Sequence, residues 1–350
     1  MSQTNKPVRR AKFPAIDAHN HLWGDWSRHP EIEAVMDSAG VILYCDLTAN
    51  LALSWAGGGY QMEPRNIDDF LSQCSDRFYG FTAATFTKPP EEPLFSDAEE
   101  FVADTISMLE EHVSKGAKGL KVLKELGLHY RDAEGNLLAI DDPRLTPIWE
   151  KAGELGIPVL PHQSDPVYFF EPVTPENEHY ESLKKYPSWS FADKNRFPRK
   201  KEIIASRDRL IANHPETVFI LPHVANYAED LDYVSRLLDL HPNVHIDFSA
   251  RIDEIGRNRD KARKFMLDYQ DRIIFGTDMP ASPEVYDAYF RFLESDEENL
   301  ASPDYDGTFE RIRWTVSGLD LPDETLKKIY HENILRLIPS LRETFEKYIR

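Results

Sequence analysis

The chain has 350 residues, 41% of them apolar, which is enough to bury a sizeable core in one large domain or two small ones. Its 60 acidic residues against 41 basic ones give a net charge of −19, which argues against nucleic acid or an anionic membrane as a partner. The two cysteines, Cys45 and Cys74, form neither a disulfide framework nor a Cys-rich zinc pattern, and no apolar run is long enough for a secretory signal or a membrane span, so a cytoplasmic protein is expected.

Residues 1–13 read as an N-terminal arm, and a single domain is expected over 14–350. Its first element is "AIDAHNH" at 15–21, an apolar strand ending in two histidines. On a strand, residues i and i+2 share a face, so His19 and His21 would point the same way with Asp17 below them. One strand histidine is commonly a satisfied core residue, whereas two imidazoles on one face suit a borderline metal such as zinc. Asp17 reads as a structural partner of a neighbouring residue rather than as an orienter of the imidazoles.

Further strands are predicted at "VILYCDLT" (41–48), "FYGFTAATF" (78–86), "AKGLKVLK" (117–124) and "PVLPHQS" (158–164). "TVFILPH" (217–223), "VHIDFSA" (244–250) and "RIIFGTD" (272–278) complete a set of eight. Helical patterns such as "EEFVADTISMLEEHVSKG" and "AEDLDYVSRLLDLHP" lie between most of them. Nearly continuous apolar strands alternating with helices predict a parallel sheet buried on both faces. Eight units point to an α/β fold of the (β/α)8 TIM-barrel type, with a doubly wound open sheet as the alternative. Long loops are expected after strands 2, 5 and 8. The second-strand loop carries "WAGGGY", which reads as a flexible turn. Cys45, inside an apolar run, reads as a small buried hydrophobe.

In a barrel the C-terminal strand ends converge on one mouth. Those ends offer His19 and His21, Lys121 and Lys124, His162, His223 and Asp278. Four histidines and an aspartate at matching ends predict a metal site. A bound divalent ion would generate a nucleophilic hydroxide, with Asp278 as general base and His223 polarising a carbonyl or an oxyanion. Arg251, just past the seventh strand, reads either as a carboxylate clamp or as a surface arginine. Trp55, Tyr60, Tyr168, Phe169, Phe170 and Trp189 read either as an aromatic wall or as pins holding their loops to the barrel. Trp55 and Tyr168 are taken as substrate contacts beside Arg251.

The order His-x-His, His, His, Asp, with "NHPETVFILPH", "DRIIFGTDMP" and "LPDETLKKIYHENILRLIP", resembles the amidohydrolase superfamily. It is most similar to the amidohydrolase-related branch that includes aminocarboxymuconate-semialdehyde decarboxylase. The resemblance spans about residues 14–340. It implies a metal-dependent barrel enzyme with His19, His21, His162 and Asp278 around a divalent ion, Zn2+ first and Mn2+ or Fe2+ as alternatives. In the binuclear hydrolases of that superfamily a strand-four lysine is carboxylated and bridges two metals, and "GLKVLK" offers Lys121 for this. His162 and His223 would then hold the second ion. A strand-end lysine paired with a carboxylate is the plain alternative, leaving one ion and His223 as an acid/base.

The expected activity is hydrolysis of a small-molecule C–O or C–N bond. The alternative is nonoxidative decarboxylation of a small unsaturated or aromatic acid, and a non-catalytic barrel is a third reading. The expected partner is a small-molecule substrate, with no nucleic acid or membrane and with room for a homo-oligomer.

Overall fold

A computed structural model describes residues 10–56, 59–83, 95, 97–300 and 314–349, with the side chains of 55–61 outside that description. Ten strands occur among them. They are β1 (Ala15–Asp17), β2 (Val41–Asp46), β3 (Leu51–Ala56), β4 (Gly59–Pro64), β5 (Phe78–Gly80), β6 (Leu120–Val122), β7 (Val159–Pro161), β8 (Phe219–Leu221), β9 (Val244–Asp247) and β10 (Ile273–Ile274). Two parallel sheets, β1-β2-β5 and β10-β9-β8-β7-β6, carry the eight strands expected from the sequence.

Backbone hydrogen bonds close both seams. Between β5 and β6, Thr82 N donates to Gly119 O and Lys121 N to Thr82 O, each at 2.9 Å. Between β1 and β10, Ala18 N donates to Phe275 O at 3.0 Å and Asp278 N to His19 O at 2.8 Å. The result is a (β/α)8 barrel. The strands are shorter than their apolar runs, and His19, His21, His162, His223 and Asp278 all follow the last ladder residue of their runs.

The helices follow the expected segments, among them Ala98–Lys115, Thr146–Glu154, Leu231–Leu240 and Arg259–Asp268. Asp97 opens the first of these by accepting from Glu99 N and Glu100 N, which satisfies two of its orphan donors. Inside the barrel, Ile16, Leu43, Cys45, Leu160, Ile220 and Ile274 form one apolar cluster with Ile334, Leu335, Ile338 and Phe345 of the C-terminal segment. Asn333 Nδ2 donates to Ile273 O, and Phe275 N donates to Ile329 O, so the C-terminal helices cover the end where the strands begin. The opposite end is left for chemistry.

The segment after β2 holds more than the turn read at "WAGGGY", whose Gly57 and Gly58 lie outside the described residues. β3 and β4 form an antiparallel hairpin, Leu51 opposite Pro64 and Ala56 opposite Gly59. The long loop after β7 carries its own small core of Phe169, Phe170, Leu183, Phe191 and Phe197, joined by Leu128 from the segment after β6. No helix among the described residues is long and apolar enough to cross a membrane.

Candidate metal centre and active-site cavity

His19, His21 and Asp278 each offer a ligand atom within 4.8 Å of the others. His19 and His21 follow the end of β1, and Asp278 follows β10. Gly276 allows this approach, since a Cβ there would stand 2.6 Å from His19 Cβ. Asp278 holds φ +52, a left-handed conformation that turns its carboxylate back over the strands. Its oxygens lie 3.7 Å from His19 Nε2, 3.5 Å from His21 Nε2 and 3.6 Å from His223 Nε2.

The opposite nitrogen of each of these imidazoles is anchored from behind. His19 Nδ1 donates to Asp247 Oδ2 at 2.7 Å, and His223 Nδ1 donates to Ser249 O at 2.8 Å. His21 Nδ1 donates to Thr48 Oγ1 at 3.0 Å, because the Thr48 hydroxyl is itself committed as a donor to Asp46. With the proton on Nδ1, every Nε2 carries a lone pair directed at the centre. The Nε2 atoms of His19, His162 and His223 and the Nζ of Lys121 are buried without a hydrogen-bond partner among the described residues. Orphaned buried polar atoms of this kind are costly unless something fills the space between them. His19, His21 and Asp278, with the His223 lone pair 3.6 Å from that carboxylate, fit a divalent metal, while His162 lies outside this group of ligand atoms.

Asp247, Ser249 and Thr48 escaped the sequence reading, although Asp247 is the acidic residue at the end of β9 and shares the strand-end position that marked the others. Asp17 sits elsewhere than below the two histidines. It accepts from Asn20 Nδ2, Thr277 Oγ1 and Tyr286 OH, pinning the end of β1 to the end of β10. Burial raises its pKa against those donors.

His223 opens a turn of four consecutive residues, 223–226, whose φ values run from +54 to +57. Left-handed backbone costs a non-glycine residue about 1–2 kcal/mol, and the β-branched Val224 is an outlier there. Arg207, fully buried, donates to Ala225 O inside this turn, and His223 N donates to Asp247 Oδ1 at 3.0 Å. The strain is held by its surroundings and aims the His223 ring at the mouth.

A cavity of about 280 Å3 opens above the centre. His21, His162, His223 and Asp278 line it together with Lys121, Lys124 and Arg251. Trp23, Leu53 and Met62 also border it, as do Phe169 and Trp189. Trp23 stacks on His21 with centroids 4.3 Å apart. Tyr168 is not among the lining residues and instead neighbours His179, so Phe169 takes the place expected for it. Trp55 lies on β3, but its side chain is outside the described residues. Lys124 pairs with Asp165 at 2.7 Å, and Asp165 Oδ1 stands 3.5 Å from His162 Nε2.

Burial lowers the pKa of His21, His162 and His223 below the usual imidazole value. Protons therefore compete with metal only once the pH has fallen through those lowered values. Mn2+ affinity is expected to change less than about threefold between pH 7.5 and 6.0, whereas two ordinary imidazoles would weaken it by roughly tenfold. Calorimetric titration at the two pH values checks this, and a tenfold loss would mean the imidazoles titrate as exposed ones.

The chain matches the model of the amidohydrolase family over residues 16–339. A comparison with curated proteins finds no match. Among solved structures it is similar to a dihydroxybenzoic acid decarboxylase from Polaromonas with bound manganese and 2-nitroresorcinol, at 16% identity and TM-score 0.51, over 95% of this chain and 99% of that one. It is also similar to a probable 2-pyrone-4,6-dicarboxylic acid hydrolase from Acinetobacter baumannii, at 11% identity and TM-score 0.52, over 93% and 100% of the chains. A putative amidohydrolase from Staphylococcus aureus matches at 16% identity and TM-score 0.53, over 93% and 99%. At these identities the likeness speaks for the barrel, and the family match spans nearly the whole chain. The chain belongs to the amidohydrolase family.

Proposed function

We propose that the chain is a metal-dependent hydrolase that opens a C–O or C–N bond of a small molecule in the cytoplasm, with Asp278 as general base. The observation that supports it most directly is the convergence of three imidazole Nε2 atoms on Asp278 with every Nδ1 anchored from behind. His19, His21, His162 and Asp278 would hold a divalent ion, zinc first, with manganese or iron equally suited to the donor set. When bound, the ion supplies a Lewis acid and lowers the pKa of a ligand water towards about 7.

Asp278 takes the proton of the attacking water on its carboxylate. His223 Nε2, 3.6 Å away, accepts that proton and as an imidazolium delivers it to the leaving atom. With its proton on Nδ1, His223 cannot polarise a carbonyl in the resting state, so the shuttle replaces the oxyanion role expected from the sequence. If a second ion is present, the same lone pair becomes a ligand.

Lys121 decides between one ion and two. It is 1% exposed, its Nζ has no partner among the described residues, and burial pulls its pKa to about 8, so neutral amine is available to react with carbon dioxide. A second reading, decarboxylation, draws on the cations Lys121, Lys124 and Arg251 in the cavity wall, which suit a substrate carboxylate.

The metal-to-protein ratio of the wild type and of Lys121→Ala tests both. Two ions falling to one or none support the carbamate-bridged hydrolase. One ion, unaffected by the substitution, gives decarboxylation at least equal standing. No ion in either protein overturns the metal reading.

A further inference from the structure

His162 and His223 stand on different loops, and one buried ammonium joins the two. Lys200, first residue of the helix Lys200–Asn213, is 7% exposed. Its Nζ donates to Asp165 O at 2.5 Å and to Asn226 O at 2.6 Å. Asp165 lies three residues past His162, and Asn226 lies three past His223. Asn226 doubles the connection, since its Nδ2 donates to Ser164 O at 2.9 Å and its Oδ1 accepts from Gln163 N at 3.4 Å. The segment tied down in this way is the left-handed turn 223–226, which has reason to relax when released.

We propose that Lys200 and Asn226 are positioning residues that hold His162 and His223 in register, so that both Nε2 atoms reach one centre. This rests on the metal-centre reading above. The cation is placed on carbonyls because carbonyls are what the two loops have in common there. No side chain of either loop need change for the register to be lost; freeing the carbonyls is enough.

Arg77 provides the comparison. It is equally buried and also donates to backbone carbonyls, those of Val41 and Ile42, but at the end of the barrel away from the cavity. A role in general stability would make the two cations alike. A role in register would make only Lys200 matter to metal.

The test titrates Mn2+ into wild type, Lys200→Met, Asn226→Gly, His162→Ala and Arg77→Met by calorimetry. It also records the visible spectrum of each protein loaded with Co2+, with circular dichroism to follow folding. Glycine accepts a positive φ freely, so Asn226→Gly removes the side-chain strap without adding strain and decides the matter if Lys200→Met fails to fold. Lys200→Met and Asn226→Gly are expected to weaken Mn2+ about ten- to a hundredfold and to shift the Co2+ bands. Arg77→Met should lower the thermal midpoint and leave both metal readouts as in wild type. Wild-type affinity and spectrum in Lys200→Met and Asn226→Gly, with His162→Ala impaired, overturn the strap and leave the metal centre standing. Wild-type affinity in His162→Ala removes His162 from the ligand set, and the strap with it.

Discussion

Asp278→Asn is expected to keep its metal and to lose turnover by about 10³-fold, the middle of the range for a general acid–base group. The amide is isosteric and retains one oxygen donor, so the imidazoles and that oxygen still surround an ion. What disappears is the proton acceptor, because Nδ2 presents hydrogens where the carboxylate presented lone pairs. The backbone has no reason to move, since Asp278 N still donates to His19 O at 2.8 Å. The side chain faces the cavity with 24% of its surface open, so the loss would come from chemistry rather than from a disrupted core. The measurement is kcat on the first substrate that wild type turns over in a panel of lactones, esters, amides and aromatic acids, with metal content read on the same samples. An unchanged rate would remove Asp278 as the base. Loss of metal together with rate would make it chiefly a ligand.

The eight strands and the residues at their ends were legible because both follow from pattern. Apolar runs of strand length mark a buried parallel sheet, and histidines at the ends of β7 and β8 stand out after their Leu-Pro pairs. What lies behind the imidazoles was much less legible. Thr48 is an ordinary hydroxyl that acts as an acceptor towards His21 because its own hydrogen is donated to Asp46, a fact of three dimensions. The turn 223–226 was invisible for a different reason. "HVAN" holds no glycine, and Val224 and Ala225 both disfavour left-handed backbone, so the clamps from Arg207 and Lys200 impose what local preference opposes. Lys200 itself stands in "PRKKEII", which looks like a solvated basic run, yet it is buried against two carbonyls. The hairpin of β3 and β4 was hidden because a run of glycines says nothing of the six-residue strands on either side.

The largest effect on metal is expected at β1. His19→Ala removes a ligand and should cost more than the roughly 10–100-fold that losing an outer partner costs, while Asp247→Asn should fall within that range. Asp247 is 1% exposed and holds the His19 imidazole and the His223 backbone amide at once. Its Oδ2 accepts from His19 Nδ1, and its Oδ1 accepts from His223 N, Ser249 N and Ser249 Oγ. Burial would raise this carboxyl, but the contacts with His19, Ser249 and the His223 amide hold it below the ordinary range. It therefore stays charged at neutral pH and raises the basicity of His19 Nε2. An amide in its place keeps an acceptor for one side only and turns an NH2 group towards the other. Mn2+ binding to the metal-free proteins, followed through the resonance of the free ion, separates the cases. Wild-type affinity in Asp247→Asn would reduce the contact to packing, and in His19→Ala it would undo the centre altogether. The double variant carries further information, because residues in one network do not add. If Asp247 acts on the ion only through His19, the double variant binds no more weakly than His19→Ala. If it binds more weakly, Asp247 is also acting through His223, and His223 then belongs among the ligands rather than beside them.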